Sequence, residues 1–190
     1  MRYVICLSIA LLTQIACINL VKAAIQTDNA QLILAAEVII DAFYSFDSTE
    51  LEAALSTAKS SIPSIVYYQG WAKGGNYEIV NRMRCEARSE KLVSCSITVK
   101  DDLIGALGID FNVTDTFEFS VFNGKIIFVK TRSDDPLIYQ DAHNWVKRKR
   151  PELISEPCRG YFTGGPTPGK CAQAMAQGFA EFAASDDYPK

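Results

Sequence analysis

The chain has 190 residues, of which 48% are hydrophobic and 22% are charged, and its formal net charge is −3. These values are typical of globular proteins and exclude disorder, collagen or coiled coil as descriptions of the whole chain. The acidic balance argues against nucleic-acid binding, which needs a basic surface. The length suits one domain with a substantial core.

The first 23 residues have the pattern of a secretory signal peptide. A basic start at Arg2 precedes an apolar run over residues 3–16, which is too short to span a bilayer comfortably. Cleavage is predicted after Ala23, with a membrane anchor or a lipid-modified Cys17 as the alternatives. Cleavage leaves 17 basic and 22 acidic residues and a formal charge of −5. We expect a secreted or periplasmic protein with no membrane span after cleavage.

Two helices are predicted at the front of the mature chain. Asp28 or Asn29 can cap the first, and Asp47 opens a capping box for the second. Apolar residues recur at helical spacing in both: Leu32, Ala36, Ile39, Ile40 and Phe43 in the first, and Leu51, Ala54, Leu55 and Ala58 in the second.

A change to strand is predicted after the second helix. Pro63 is expected to stop helical structure, and residues 65–68 have the composition of a short strand. Residues 70–76 carry three glycines and predict a loop or a short helix. Residues 77–86 and 92–100 then predict two antiparallel strands joined by a short polar turn.

Four cysteines remain after cleavage, and an even number in an exported chain indicates disulfides. Pairing the two strands antiparallel places Cys85 opposite Cys95, Met83 opposite Ile97 and Arg82 opposite Thr98. This register brings one cysteine pair together, and Cys158–Cys171 follows by elimination as the closure of a Gly- and Pro-rich loop. A four-cysteine metal site is the alternative. The cysteine spacing and the single histidine argue against it, so we expect neither metal nor cofactor.

The strongest local pattern is a hairpin. Asn123-Gly124 between residues 116–122 and 125–131 predicts a two-residue type I′ turn. The simple register pairs Phe119 with Phe128 and makes both faces apolar, so we expect the sheet to be covered on both sides. Before the hairpin, residues 103–111 predict a bent strand because of two glycines. After it we expect a helix from Pro136 to Arg150 and a final helix with an apolar face of Met175, Phe179 and Phe182.

Two segments of the chain, in the predicted helices at its front and in the predicted hairpin, resemble a known family. The first helices read IIDAFYSFDSTELEAAL and the hairpin reads DTFEFSVFNGKIIFVKTRSDDP. Both resemble the nuclear-transport-factor-2-like superfamily, with its SnoaL-like and ketosteroid-isomerase-like domains, over residues 28–136. The resemblance implies an α+β fold in which a cone-shaped, curved antiparallel sheet packs on N-terminal helices, with a pocket at the open end. Residues 137–190 lie outside it, as a C-terminal helical extension with the disulfide-closed loop.

The same resemblance does not supply a catalytic residue. The isomerase members use a carboxylate base near the first strand, and residues 65–71 here contain none. The dehydratase members use a histidine and an aspartate in the pocket. His143, the only histidine, falls in the extension on a helix with Trp145, where a surface or packing role is more ordinary than catalysis. The catalytic residues are therefore left unassigned.

Four residues are candidates for the expected pocket. Tyr68 and Trp71 flank its mouth and suit a flat apolar ligand, although ordinary core packing is the alternative. Tyr44 matches the region of the family's tyrosine, and Asp102 could place a carboxylate near the cavity unless it lies on a solvated loop.

The leading hypothesis is non-catalytic binding of a small apolar molecule, or a scaffold role. One alternative is an isomerase or dehydratase with a rearranged acid–base site, and another is a homodimer formed through the outer sheet face. A buried carboxylate hydrogen-bonded near a tyrosine would favour the enzyme. A pocket lined only by Phe, Ile and Val would favour simple binding.

Overall fold

The structure is a computed structural model that describes residues 29–160 and 168–189. The predicted signal peptide and part of the cystine loop lie outside these residues. In chain order the elements are α1 (29–44), α2 (Ser48–Ala54), α3 (Ile62–Gly74), β1 (Glu78–Arg82), β2 (Glu86–Ser89), β3 (Leu92–Lys100), α4 (Asp102–Ala106), β4 (Val113–Phe122), β5 (Lys125–Ser133), α5 (Leu137–Lys149), α6 (Pro151–Ile154) and α7 (Pro168–Ala183).

The class is α+β, with an open antiparallel sheet of five strands packed against helices. The strand order is β1-β3-β4-β5, and β2 pairs with β3 alongside β1. Burial alternates along β3 and β4, so each strand turns one side chain in two toward the core. The inner face of the sheet carries Val93, Cys95, Ile97, Val99, Val113, Asp115, Phe117, Phe119 and Val121.

The outer face is mostly polar on β3 and β4 and is not buried, so the prediction of a sheet covered on both faces is wrong. Ser94, Ser96, Thr98, Thr114 and Thr116 alternate with the buried positions of β3 and β4. A bulge in the β4–β5 hairpin explains the error. Val121 pairs with Ile126 as predicted, but Ser120 pairs with Phe128 and Phe119 with Val129. The extra residue, Ile127, shifts the predicted pairs by one position, and both Ile127 and Phe128 are exposed.

Helix α1 covers the inner face. Its predicted apolar stripe is buried, and the Phe43 ring lies 5.0 Å from the ring of Phe117 on β4. Helix α2 begins as predicted, because the Asp47 carboxylate accepts hydrogen bonds from the backbone N–H groups of Thr49 and Glu50.

Helix α3 corrects the prediction of a strand at residues 65–68. Pro63 lies in its first turn, where a missing backbone N–H costs nothing, so the proline begins the helix instead of ending one. Most of α3 from Ile65 to Gly74 is buried, because the helix lies between the sheet and α7. A helix buried on all sides has no polar stripe, and its short apolar run resembles a buried strand.

The C-terminal helices belong to the same hydrophobic core. Helix α7 packs closely on α3, where a Cβ added to Gly74 would lie 2.3 Å from the Cα of Gly169. It packs on α5 at Gly178, where an added Cβ would lie 2.5 Å from a methyl of Val146. Met175, Phe179 and Phe182 are buried as predicted.

Both predicted disulfides are present, Cys85–Cys95 and Cys158–Cys171. The strand register predicted from Cys85–Cys95 is correct only next to this disulfide. Glu86 pairs with Ser94 as expected, but the strand is interrupted over residues 83–85, and before that break Arg82 pairs with Ile97 instead of Thr98. The bent strand predicted at residues 103–111 is also wrong. Those residues begin with α4, because the Asp101 carboxylate caps the N–H of Ile104.

The edge of the sheet at β5 is occupied by side chains. Thr57 donates a hydrogen bond from its hydroxyl to the Ile126 carbonyl over 2.7 Å, and the Val129 N–H donates to the hydroxyl of Ser61 over 2.8 Å. Ser61 ends a short 3-10 helix that precedes α3. None of the helices within 29–160 and 168–189 combines the length and apolarity needed to cross a bilayer.

Candidate functional site

A cleft of about 160 Å³, here called the aromatic cleft, opens between α3, the start of β1, the end of β5 and α5. It is lined by Tyr68, Trp71, Tyr77, Ser133, Asp135, Tyr139, Gln140 and His143. Four of the eight side chains are aromatic and the others are polar. The cleft is smaller than the 300–1,000 Å³ typical of pockets for drug-sized molecules.

Local structure explains how these side chains meet. Tyr68 and Trp71 are three residues apart on α3, and Tyr139 and His143 are four apart on α5, so each pair shares a helix face. Pro136 is extended and precedes α5, which turns the chain sharply after β5. The end of β5 therefore lies beside the first turns of α5.

A buried carboxylate lies behind the cleft. Asp115 is on the inner face of β4 with 0% of its surface exposed. The hydroxyls of Tyr68 and Ser133 both donate to its Oδ1 atom over 2.6 Å. Tyr68 and Ser133 both line the cleft, whereas Asp115 does not, so these two residues connect the carboxylate to the cleft. Its Oδ2 atom has no hydrogen-bond partner among the described residues.

Burial raises the pKa of Asp115 to about 6, although the hydrogen bonds from Ser133 and Tyr68 lower it. Burial also raises the pKa of Asp135 to about 6, and the negative charges of Asp101 and Asp134 add to the effect. Asp101 has its pKa raised chiefly by burial. No ion pair of the described residues includes Asp101, Asp115 or Asp135. At neutral pH the cleft is therefore a negative region.

Tyr68, Tyr77 and His143 are uncharged at neutral pH. Burial raises the pKa of Tyr68 and of Tyr77 well above the ordinary tyrosine value, and neighbouring negative groups, including Asp115, raise both further. Burial, and then the positive charge of Lys147, lowers the pKa of His143. Both tyrosines keep their protons, and the imidazole of His143 is neutral.

The structure brings together two of the four predicted pocket residues. Tyr68 and Trp71 line the cleft. Tyr44 lies deeper, edge-on to Phe43 with 5.0 Å between ring centroids, and its buried hydroxyl has no hydrogen-bond partner in the described part of the chain. Asp102 is exposed at the start of α4, where it accepts a hydrogen bond from Asn76.

Asp115, Ser133, Asp135 and Tyr139 were not predicted from the sequence, and His143 was expected to be a surface or packing histidine. A readable signal existed for Asp115. It stands at an alternate position of the strand between Val113 and Phe117, where an apolar residue is expected. The positions of Asp135 and Tyr139 depend on the turn at Pro136, which local sequence does not orient.

The described residues contain no group of three or more His, Cys, Asp or Glu side chains arranged to hold a metal ion. In comparisons with known proteins, no family model, no curated protein and no solved structure matches the chain. The function is therefore argued from the geometry of the cleft.

Proposed function

We propose that the protein binds a small polar molecule in the aromatic cleft. The observation that carries this proposal is the buried carboxylate of Asp115, whose two hydrogen-bond donors, Tyr68 and Ser133, both line the cleft. Burying a carboxylate without a cationic partner costs stability, and such groups concentrate at functional sites. The ordinary structural alternative, a buried ion pair, does not apply to Asp115 in the described residues.

This proposal revises the expected ligand. The sequence favoured a flat apolar molecule, but Asp135, Gln140, Ser133 and His143 make half of the lining polar. A cleft of about 160 Å³ suits a compact molecule and not a polycyclic one.

A fragment screen by ligand-observed NMR tests the proposal. We expect compact polar fragments to bind the wild-type protein and to lose at least tenfold in affinity in Gln140→Trp, because an indole at this exposed lining position fills the cleft. Gln173→Trp is the matched control, since Gln173 is exposed on α7 away from the cleft. Failure of all fragments to bind, or equal binding to both variants, would contradict the proposal.

Proton transfer of the isomerase or dehydratase type is the second candidate function. It is favoured by a buried carboxylate with a pKa of about 6, hydrogen-bonded to a tyrosine, the arrangement expected of an enzyme. Asp135 also has a pKa near neutrality and faces the cleft. Deuterium uptake from D₂O into small ketones, followed by NMR, is the test. We expect exchange with the wild-type protein and at least a hundredfold slower exchange with Asp135→Asn; equal rates would remove this candidate.

We also propose that the fold is the nuclear-transport-factor-2-like cone and that the chain is exported after cleavage at Ala23. The helix-covered inner sheet face supports the first, and the two disulfides support the second. Amino-terminal sequencing of exported protein should begin at Ala24. The homodimer also remains a prediction, and size-exclusion chromatography would test it through the mass of the mature chain.

A further inference from the structure

The charge of the aromatic cleft restricts its ligand further. Three carboxylates, Asp101, Asp115 and Asp135, lie close enough that the charge of Asp101 raises the pKa of the other two. Asp135 lines the cleft and makes no hydrogen bond or ion pair with the described residues. An anion entering this cleft would be repelled by the Asp135 carboxylate, which has no ion-pair partner among the described residues, whereas a cation would neutralise it.

The hydrogen bonds of the Tyr68 and Ser133 hydroxyls also favour a ligand that donates hydrogen bonds. A hydroxyl has one proton and two lone pairs, and Tyr68 and Ser133 each donate that proton to Asp115. While Asp115 is ionised, these two oxygens can only accept hydrogen bonds from a ligand. Together with the Asp135 carboxylate, they give the lining three groups that accept hydrogen bonds, which fits a ligand that donates several.

The aromatic side chains of the cleft also favour a cationic ligand. Tyr68, Trp71, Tyr77 and Tyr139 surround the same cleft, and aromatic ring faces attract organic cations. His143, the one lining side chain that could carry positive charge, is held neutral by burial at neutral pH.

We propose that the ligand of the aromatic cleft is a small protonated amine, held by Asp135, by the hydroxyl oxygens of Tyr68 and Ser133, and by the surrounding rings. This inference rests on the proposed small-molecule function and names its ligand class. A primary ammonium group fits best, because its three N–H donors match the acceptors of the lining, whereas a quaternary ammonium ion has no donor.

Probes that share an isobutyl-type or benzyl-type carbon skeleton and carry a cationic, neutral or anionic head group test the proposal. Isobutylammonium and benzylammonium are titrated by NMR at pH 7.5 beside the neutral alcohols, isobutanol and benzyl alcohol, and beside the anions isobutyrate and benzoate. We expect at least one ammonium ion to bind at least tenfold more tightly than its alcohol, and neither anion to bind. Asp135→Asn should weaken ammonium binding at least tenfold and leave alcohol binding nearly unchanged.

Asp141→Asn is the matched control. Asp141 is exposed on α5, six residues after Asp135, and does not line the cleft, so this variant removes the same charge at a nearby position outside the cleft. Circular dichroism establishes that both variants are folded. We expect ammonium binding to Asp141→Asn within twofold of wild type.

Two outcomes would overturn the proposal in distinguishable ways. If alcohols or anions bind as well as the ammonium ions, or if fragments bind at the cleft but no ammonium ion does, the ligand class is wrong and small-molecule binding stands. If neither the six probes nor any fragment binds, the proposed function fails together with this inference.

Discussion

Two carboxylates of strand β4 have opposite surroundings. Asp115 faces the core without a cation and has its pKa raised to about 6, chiefly by burial. Glu118, three residues later, faces outward, where Lys130 and Arg132 lie 2.8 and 3.5 Å away and its pKa is lowered, first by the Lys130 hydrogen bond. The outer carboxylate, Glu118, forms surface ion pairs, which contribute little to the free energy of unfolding. The inner one is kept at a cost to stability, and that cost is the argument for a function.

The largest expected effect is the pH dependence that Asp115 gives to the free energy of unfolding. The folded-state pKa of Asp115 is above its ordinary value of 3.8, so its stabilising contribution is present below pH 3.8 and is lost as pH rises through about 6. A shift from 3.8 to about 6 corresponds to roughly 3 kcal/mol. We expect the free energy of unfolding of wild type, relative to Asp115→Asn, to fall by about 3 kcal/mol between pH 3.5 and 7.5.

Urea unfolding at a series of pH values measures this difference. Comparison with Asp115→Asn cancels groups common to both proteins, including His143, whose lowered pKa acts in the opposite direction. Parallel stability curves for the two proteins would mean that Asp115 titrates normally, and the contrast with Glu118 would disappear.

A smaller effect is expected from the hydroxyl that faces the cleft. Tyr68→Phe removes one of the two donors to Asp115, and hydrogen bonds to charged groups contribute about 1.5–3 kcal/mol. We expect a loss of about 2 kcal/mol at pH 7.5 by urea unfolding, shrinking at pH 4, where Asp115 is protonated.

Tyr188→Phe is the control for this prediction, because the Tyr188 hydroxyl donates to a neutral acceptor, the Leu107 carbonyl, over 2.7 Å. Its loss should cost about 1 kcal/mol at both pH values. A pH-independent loss in Tyr68→Phe would show that the tyrosine stabilises the fold without sensing the carboxylate.

The smallest effect belongs to the outer face. Glu118→Gln should lower the free energy of unfolding by less than about 1 kcal/mol, and the loss should vanish in 1 M salt, because exposed ion pairs are screened. Since the pKa of Glu118 is lowered, its contribution is present above its ordinary pKa of 4.5 and is lost on acidification. Thermal unfolding in low and high salt is the measurement. If Glu118→Gln lowers the free energy of unfolding by more than about 2 kcal/mol, the outer carboxylate matters as much for stability as the inner one.

The elements predicted correctly are those specified by local chemistry. Asp47 caps α2 through its own carboxylate, and Asn123 and Gly124 both adopt the positive φ angles of the predicted turn. The errors arise where tertiary packing decides. Helix α3 is buried by elements that are distant in sequence, and the bulge at Ile127 changes which residues of β5 face outward.

The residues of the site also divide into those that could be predicted from the sequence and those whose positions depend on tertiary packing. Tyr68 and Trp71 were predicted as aromatic residues flanking the mouth of the pocket that the family resemblance implies. The partnership of Tyr68 with Asp115 joins residues 47 positions apart, and it depends on α3 being a helix that packs on the inner sheet face. A strand at residues 65–68 would direct these side chains differently, so the error in the fold concealed the site.

The hydrogen bonds at the edge of β5 have a consequence for encounters between molecules. Exposed sheet edges recruit further strands and so promote fibrous aggregation. Here the hydroxyls of Thr57 and Ser61 already engage the Ile126 carbonyl and the Val129 N–H, so an incoming strand would have to displace both. If two copies of this protein associate, we therefore expect them to meet through the serine- and threonine-rich outer face and not by joining their β5 edges into a continuous sheet.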